Sequence, residues 1–597
     1  MNQETKICQN CQKEFTVEPE DFEFYEKIKV PAPTFCPECR MTRRMVFKNE
    51  KSFYKRKCDF CNKNIIAVFP QNVSFPVYCP FCWWSDKWNS MDYGRNYDFS
   101  KPFFEQFYEL LKQVPRINLF TDYLRAINSE YTNYTGPLKN CYLLIQAENN
   151  ENCFYSSSLF YSKDCSDCSM VTKTNNAYNL FNCEKCFNIF FSTNCASCFD
   201  VYFSKNLINC SNCFGCVNLR HKNYYIFNKA YSKENYIDFI KKLNLGSYKK
   251  IIELQKETWN FWLNYPNKFI QGLHNNNISG NYITNSHNVF YSYEIEGGEC
   301  LKYCFQTHMP FNRDCYDYND WGNNASLCYE SINCGENISN VKFSLGSWIG
   351  NNWEYCDTIV SSDYVFGCVK LKHAKYCILN KQYTKEEYKE LVPKIIEHMN
   401  SMPYIDKKGR VYKYGEFFPP ELSPFCYNET IAQEYFPLTK EQAIEKGYQW
   451  KDPEVRNFQI DIKTQDLPDN IKDVNSDIVG KIIECANAKS QNSALSNCTT
   501  AFKIIDSELE FYKKMNLPLP RLCPNCRHYQ RIQQRNPLKL WKRKCQCDGT
   551  HSSNGIYKNT IEHFHGNNPC PNEFETTYAP DRPEIVYCEK CYQSEVA

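Results

Sequence analysis

The stretch FNCEKCFNIFFSTNCASCFDVYFSKNLINCSNCFGC, residues 181–216, repeats a short pattern of asparagine–cysteine steps and aromatic, strand-forming runs. In this region successive C-x-x-C pairs lie close together, with their first cysteines at Cys165, Cys183, Cys195 and Cys210. Repeats this short, with β-rich segments between them, predict the turns of a parallel β-helix or related solenoid. In such a coil, small residues of successive turns stack inward, and thiols serve as compact buried groups.

The same thiols leave a second interpretation open, because their spacing also suits metal binding. Two further zinc sites would use Cys165, Cys168, Cys183 and Cys186, and Cys195, Cys198, Cys210 and Cys213. However, Cys141 and Cys153 follow the repeat without a C-x-x-C partner, and Cys216 is an odd third thiol beside its pair. Stacked thiols are therefore the favoured interpretation.

The repeat region is itself duplicated. FGCVNLRHKNYYIFNKAYSKENY (214–236) aligns with FGCVKLKHAKYCILNKQYTKEEY (366–388), with 14 of 23 positions identical. In the second copy Thr384 and Glu387 have the spacing of a capping box, and Ser232 is the matching cap in the first. We therefore expect a helix after each solenoid, where it would cover the last strand edge.

The first eight cysteines form four C-x-x-C pairs, and two such pairs complete a tetrahedral zinc shell. They predict two zinc ribbons in series, with ligands Cys8, Cys11, Cys36 and Cys39, then Cys58, Cys61, Cys79 and Cys82. Iron–sulfur ligation fits the even, paired spacing less well, and disulfides are disfavoured in a chain without an export signal.

The C-terminal region repeats this module when Cys11 is aligned with Cys498, and YKRKC (54–58) then matches WKRKC (541–545). The position of Cys8 becomes Leu495, so we expect Cys485, or a histidine such as His528, to supply the missing ligand. The predicted third and fourth ligand sets are Cys485, Cys498, Cys523 and Cys526, then Cys545, Cys547, Cys588 and Cys591; His563, His565 and Cys570 are alternative ligands or bystanders. About four zinc ions per chain are expected in all.

Basic residues are concentrated between the two sites of each module. Segments 40–57 and 527–544 together hold 15 basic residues and 1 acidic residue, whereas the rest of the chain holds 55 basic and 67 acidic residues. The candidate nucleic-acid-binding residues are Arg40, Arg43, Arg44, Lys55, Arg56, Lys57, Arg527, Arg531, Arg535, Lys542, Arg543 and Lys544.

Zinc knuckles would hold these basic strips rigidly, and interleaved aromatic residues could stack on bases. The leading hypothesis is a non-enzymatic, zinc-dependent nucleic-acid-binding protein, with RNA or a ribonucleoprotein slightly favoured over DNA. A scaffold that grips an acidic protein partner, or the chain's own acidic remainder, is the alternative. In the plainer interpretation Arg40, Arg43 and Arg44 form a solvated helix face while neighbouring methionines pack.

Signals for catalysis are weak. The sequence lacks the common nucleotide-binding, hydrolase and zinc-protease motifs. His221 and His373 recur in both solenoid copies without a nucleophile at a fixed spacing, which favours a structural role. A solenoid enzyme acting on a glycan or nucleotide stays as a third hypothesis, with Asp314, Asp317, Asp320 and the tract Glu294–Glu299 as its carboxylates.

The expected fold is mainly β with a small α content: zinc ribbons at both ends flank two duplicated solenoids with helical caps. The expected domains are a double zinc-ribbon module (1–99), a helical linker (100–139), a first solenoid and capping helix (140–262), a second solenoid and capping helix (263–400), a Pro-rich and acidic linker with a short helix (401–480) and a C-terminal zinc-ribbon module (481–597). The linker helix is expected to dock the first module on the first solenoid.

Neither a signal peptide nor a membrane-spanning run is visible in this sequence, so we expect a cytoplasmic protein with no membrane partner. The 37 cysteines of a 597-residue chain would then be metal ligands or buried thiols.

Three segments carry a resemblance to known proteins: CPECRMTRRMVFKNEKSFYKRKC (36–58), NCFGCVNLR (212–220) and LPRLCPNCRHYQR (519–531). Through them the whole chain resembles a family of multi-zinc-ribbon proteins with Cys-rich central repeats, from uncultivated bacteria of very small genome. The resemblance implies zinc sites and brings no activity with it.

Overall fold

The computed structural model describes residues 2–452, 459–490 and 493–596. It confirms a mainly β chain, with solenoid repeats in the middle and four-cysteine clusters near both ends. Residues 453–458 of the predicted linker and 491–492 of the predicted C-terminal module lie outside the described residues.

The chain forms two units, and each is discontinuous in sequence. The first unit comprises Met1–Leu119, Ile270–Asp452 and Leu538–Leu540; the second comprises Phe120–Phe269, Pro453–Pro537 and Trp541–Ala597. Each unit therefore combines one terminal cysteine-rich module with the solenoid that lies farther from it in sequence.

In the first solenoid the backbone turns a corner at every third residue. From Asn140 to Phe227 every third residue has a positive φ of 44–66°, Gly215 included. In the parallel pairing of adjacent turns, Lys163 lies beside Asn175, so each turn has four corners. Asparagine is frequent at these corners because its short polar side chain tolerates the left-handed conformation.

The residue after each corner points inward, which explains the Asn-Cys motif of the sequence. The thiol of Cys153 donates to the carbonyls of Glu151, at 3.3 Å, and Ser162, at 3.6 Å. The hydroxyl of Ser156 makes the corresponding bond to the carbonyl of Phe154 at 2.8 Å. Inward cysteines and serines therefore have the same role: they fill the narrow core and donate to backbone carbonyls that lie close to the corners.

The second solenoid follows the same plan with less regular turns. His287 pairs with Glu299, but Glu299 pairs with Arg313, so the second of these two turns is longer than the first. Its core also admits larger side chains, such as the buried Trp353.

Each solenoid ends in a short antiparallel hairpin, which is followed by the predicted helix. Strand Asn223–Ile226 pairs with Lys229–Ala230 before helix Lys233–Lys242, and the Ser232 hydroxyl caps that helix. In the second solenoid, Thr384 and Glu387 form the predicted capping box at the start of helix Lys385–Ser401.

The two cysteine-rich modules have the same helices at the predicted offset. Helix Pro19–Lys27 corresponds to Asp506–Lys514, and helix Pro37–Met45 corresponds to Pro524–Gln533. We refer to Pro37–Met45 and Pro524–Gln533 as the first and second docking helices, since each packs on the solenoid of its own unit.

The helix predicted within 100–139 spans Phe103–Gln113 and packs differently from the expectation. Phe103 contacts the rings of Tyr355 and Phe366, so the helix lies on the second solenoid rather than the first. The first solenoid already begins within the predicted linker, with strand Ala126–Ile127.

The first unit has these remaining elements. Its strands are Glu4–Ile7, Glu14–Val17, Tyr54–Lys57, Asn64–Ala67, Val77–Tyr78, Arg116–Ile117, Gly272–Leu273, Asn276–Thr284, His287–Glu296, Gly298–Lys302, Phe305–Thr307, Asn312–Trp321, Ala325–Leu345, Trp348–Asp357, Val360–Phe366, Lys375–Ile378, Lys381–Gln382, Tyr404–Ile405 and Val411–Tyr412. Its further α-helices are Pro80–Trp83, Ile431–Tyr435 and Lys440–Glu445.

The second unit is described in the same way. Its strands are Ala126–Ile127, Asn133–Thr135, Leu138–Lys139, Ile145–Glu148, Asn150–Glu151, Ser157–Phe160, Lys163–Thr172, Asn175–Glu184, Phe187–Phe190, Phe199–Tyr202, Ser211–Phe214, Asn223–Ile226, Lys229–Ala230, Asn267–Lys268, Ile483–Glu484, Ala501–Phe502, Trp541–Lys544, Glu573–Thr576 and Val586–Tyr587. Its further α-helices are Tyr248–Trp262 and Glu589–Val596. Across the described residues of both units, no helix combines the length and apolar character that a bilayer crossing requires.

Candidate metal centres and docking contacts

The first module brings its eight predicted ligands together in two groups of four. In each group, the ligand sulfur atoms all lie within 4.8 Å of one another. Cys36 and Cys79 are the N-cap residues of helices that begin with Pro37 and Pro80, and Cys39 and Cys82 lie in the first turns of these helices. Each helix start therefore positions two members of its group. The backbone N–H of Cys36 also donates to the sulfur of Cys8 at 3.3 Å.

The sulfur separations fit a single tetrahedral ion. With Zn–S bonds of ~2.3 Å, the S–S edges of a tetrahedron are about 3.8 Å long. The Cys11–Cys36 sulfur separation is 3.7 Å, and the Cys61–Cys79 separation is 3.9 Å. Four thiolates with no fifth donor favour zinc in a structural, closed site.

Packing four thiols together separates their pKa values. Hydrogen bonds with Cys36 and Cys39 lower the pKa of the Cys8 thiol, while hydrogen bonds with Cys36 and Cys8 raise the pKa of the Cys39 thiol. At the more exposed second site, a backbone hydrogen bond beside Lys63 lowers the pKa of Cys61 to about 7. Each cluster therefore supplies a thiolate readily, and a bound dication would deprotonate the remaining thiols.

At the third site Cys485 supplies the ligand that the duplication lacks. Its sulfur lies 3.9 Å from that of Cys526, and Cys498 and Cys523 complete the group at the same separation. The backbone N–H of Cys523 donates to Cys485 at 3.2 Å, which parallels the bond between Cys36 and Cys8.

The predicted fourth ligand set needs a correction. The structure groups Cys545, Cys570, Cys588 and Cys591, so Cys570 takes the place expected for Cys547. Cys570 is three residues before strand Glu573–Thr576, as Cys61 is three residues before strand Asn64–Ala67. An insertion after Cys545 displaces the second knuckle cysteine along the chain.

Cys547 belongs to a fifth group, with His563, His565 and Cys591. Cys591 is thus a member of two groups. Among the described residues, all five groups lie in the terminal modules, and the inward thiols of the two solenoids belong to none of them.

The arginines of the first docking helix face the second solenoid and are buried. Arg44 is completely buried and pairs with Asp317 at 3.0 Å and Glu330 at 2.7 Å. Arg40 pairs with the same Asp317 at 2.8 Å. Burial alone would lower the pKa of Arg40, but the charge of Asp317 raises it above its ordinary value.

Arg43 extends the cluster with pairs to Glu330 at 2.6 Å and Glu416 at 2.8 Å. Its guanidinium also lies 4.2 Å from the ring centre of Phe35. The first docking helix is therefore held by charged pairs with almost no access to water.

The second docking helix makes the equivalent contacts with the first solenoid. Arg531 pairs with Asp167 at 2.6 Å, and Arg527 lies 3.3 Å from the same carboxylate. The guanidinium carbon of Arg527 lies 4.5 Å from the ring centre of Tyr155. The guanidinium carbon of Arg40 lies 5.2 Å from the ring centre of Tyr303 in the same way.

Turn counting shows that Asp167 and Asp317 are equivalent. If the strand pairing is followed back turn by turn from Phe214, the residue reached after four turns is Ser166. The same count from Phe366 reaches Tyr316. Each aspartate is the next residue along the chain. The duplication thus covers the docking contact as well as the two partners.

These contacts correct the expected basic surface. The buried residues, at 7% exposure or less, are Arg40, Arg43, Arg44, Arg56, Arg527 and Arg531. Arg535 and Arg543 are half-buried, whereas Lys55, Lys57, Lys542 and Lys544 are exposed. Neither the nucleic-acid interpretation nor the solvated-face interpretation anticipated buried arginines.

Asp317 and Asp320, two of the carboxylates named for a solenoid enzyme, are held in buried ion pairs. Asp317 is paired as described, and Asp320 lies 3.0 Å from Lys48. Both are completely buried. His221 and His373 occupy exposed corner positions with φ of 54° and 50°.

The tryptophans after the second site mainly pack. Trp83 is fully buried and donates to the carbonyl of Pro115 at 3.1 Å, while Lys372 lies 3.8 Å from its ring centre.

Comparison with protein-family models and with curated proteins found no match to this chain.

Proposed function

We propose that the chain is a non-enzymatic, zinc-dependent scaffold that binds nucleic acid through the outward lysines of two duplicated strands, RNA or a ribonucleoprotein being favoured. The observation that carries this proposal is the alternation along Tyr54–Lys57 and Trp541–Lys544. Successive side chains of a strand point to opposite faces. Lys55 and Lys57 are exposed, as are Lys542 and Lys544.

The arginine between each lysine pair points toward the protein. Arg56 donates to the carbonyl of Pro70 at 2.7 Å and pairs with Asp59 at 2.7 Å. Arg543 donates to Gln546 at 3.0 Å. This division suits the two residue types, because guanidinium groups form multidentate internal contacts while ammonium groups stay strongly hydrated.

The lysines stand next to candidate metal ligands, which favours a preformed surface. Lys57 directly precedes Cys58, and Lys544 directly precedes Cys545. At the second site the knuckles also carry exposed rings, Phe60 at 39% and Phe81 at 69% exposure. Rings beside lysines are the usual means of binding single strands, by base stacking and phosphate neutralisation.

The test is the salt dependence of binding to a 20-nucleotide uridine-rich RNA by the full-length chain. Replacing Lys55, Lys57, Lys542 and Lys544 with Ala removes two phosphate contacts at each strand. For an RNA bound at one strand, the slope of log K against log salt should therefore fall by about 1.4, at ~0.7 per contact. The matched control replaces four exposed lysines of the first solenoid region with Ala: Lys173, Lys222, Lys229 and Lys233.

An unchanged slope in the control and a reduced slope in the strand variant support the proposal. Equal slopes in the two variants, or no RNA binding by the wild type, would overturn it. Binding of a polyglutamate peptide in place of RNA, abolished by the strand variant, would favour the acidic-partner alternative.

A further inference from the structure

The C-terminal module contains an insertion that the N-terminal module lacks. Two residues separate Cys58 from Cys61, whereas the equivalent Cys545 and Cys570 enclose residues 546–569. This insertion carries Cys547, His563 and His565 to the side of Cys591. We infer that the module holds a dinuclear zinc centre in which the Cys591 thiolate bridges a four-cysteine ion and a second ion bound by Cys547, His563 and His565.

The distances place Cys591 in both coordination shells. Its sulfur lies 3.6 Å from that of Cys570 on one side and 3.3 Å from Nε2 of His565 on the other. Nδ1 of His563 lies 3.1 Å from the sulfur of Cys547. A tetrahedral zinc ion has S–S edges of about 3.8 Å and N–S edges of about 3.5 Å, so both shells have the right size.

Each histidine is oriented by an acceptor on the side away from the metal position. Nε2 of His563 hydrogen-bonds with Glu595 at 2.8 Å, and both side chains are completely buried. Nδ1 of His565 hydrogen-bonds with the carbonyl of Asn568 at 2.6 Å. These bonds place the protons on the outer nitrogens and leave Nδ1 of His563 and Nε2 of His565 as ligands, the arrangement typical of zinc-bound histidines.

Charge also favours a second ion. A four-thiolate zinc site carries a net charge of −2, and Cys547 adds a fifth thiolate in a buried position. A second dication with two neutral imidazoles leaves the whole centre at −1. The coordination shell of the second ion consists of four protein ligands and has no open position, so the centre is structural rather than catalytic.

The first measurement is the zinc content of the purified full-length chain. We expect five ions per chain, four after His565→Ala, and five after His551→Ala, since His551 is an exposed histidine of the same insertion outside the ligand group. A wild-type content of four would overturn the inference, as would the same content in the His565→Ala and His551→Ala variants.

The second measurement needs no variant. In protein loaded with ¹¹³Cd, a shared thiolate makes two cadmium signals scalar-coupled to each other, while the other three sites give uncoupled signals. Five signals without any mutual coupling would show two separate ions and overturn the bridge.

Discussion

Asp167 and Asp317 occupy the same corner of two different solenoids, and each accepts a docking-helix arginine from the opposite end of the chain. The Arg531–Asp167 separation is 2.6 Å and the Arg44–Asp317 separation is 3.0 Å. Both pairs are buried. The positive segments that stand out in the sequence therefore serve first as internal contacts between module and solenoid.

Removing one of these arginines should be costly. Arg44→Met leaves Asp317 and Glu330 buried with fewer partners, and loss of one member of a buried pair destabilises by about 3–5 kcal/mol. Denaturant unfolding of the full chain measures this change in the free energy of unfolding. The control Lys27→Met breaks the Lys27–Asp314 pair, in which the lysine is 52% exposed, and should change stability by less than about 1 kcal/mol. Equal losses of unfolding free energy in the two variants would contradict the claim that the buried Arg44 pairs stabilise the fold more than an exposed pair does.

Each docking helix contacts the solenoid that lies farther from it in sequence, and this arrangement predicts which helix opens locally when one contact is weakened. Asp317→Asn weakens the partner of the first docking helix, so amide exchange should rise in Pro37–Met45 and stay unchanged in Pro524–Gln533. Asp167→Asn should give the reverse pattern. Hydrogen exchange followed by mass spectrometry distinguishes the two, and faster exchange in the same helix for both variants would contradict the assignment.

The solenoid thiols should tolerate replacement by serine. Cys198 donates to the carbonyls of Ala196 and Leu207, and a serine hydroxyl can make the first of these bonds, as Ser192 does with Phe190. Cys198→Ser should keep the zinc content and change the unfolding free energy by no more than about 1–2 kcal/mol.

The comparison variant is Cys39→Ser, which removes a ligand and should release one zinc ion per chain. Zinc analysis of both variants separates the roles. Loss of metal from Cys198→Ser would mean that the central thiols are ligands after all.

Chelation should loosen the modules and spare the solenoids. Cys36 and Cys523 begin the two docking helices, so removing the ions withdraws an anchor from each helix start. With excess chelator, amide hydrogen exchange should accelerate in residues 8–39, 485–490 and 493–526. Comparable acceleration in strand Asn175–Glu184 would show that solenoid stability depends on metal.

Much of this architecture could be predicted from spacing alone. The solenoids, their capping helices and the first two ligand groups follow from repeats whose members differ little in length. A period of three was also present in the sequence: Cys183, Cys186 and Cys195 are separated by multiples of three, because every third residue points inward.

Two features needed three-dimensional information. The insertion after Cys545 breaks the spacing that identifies a knuckle, so the sequence offered Cys570 only as an alternative ligand. The burial of Arg40 and Arg44 depends on Asp317 and Glu330, which lie in a distant part of the sequence. Their helical spacing of four residues, repeated in Arg527 and Arg531, marked a common face but gave no sign of what that face contacts.

The crossed order of modules and solenoids also shapes how the protein is made. Arg40 leaves the ribosome 277 residues before Asp317, and Asp167 leaves it 364 residues before Arg531. At synthesis rates of about 5–20 residues per second, the nascent first module waits roughly 15–55 seconds for its carboxylate partners. During that interval the arginines of the first docking helix lack the carboxylates that neutralise them in the folded unit, so docking of this helix must follow synthesis of the second solenoid.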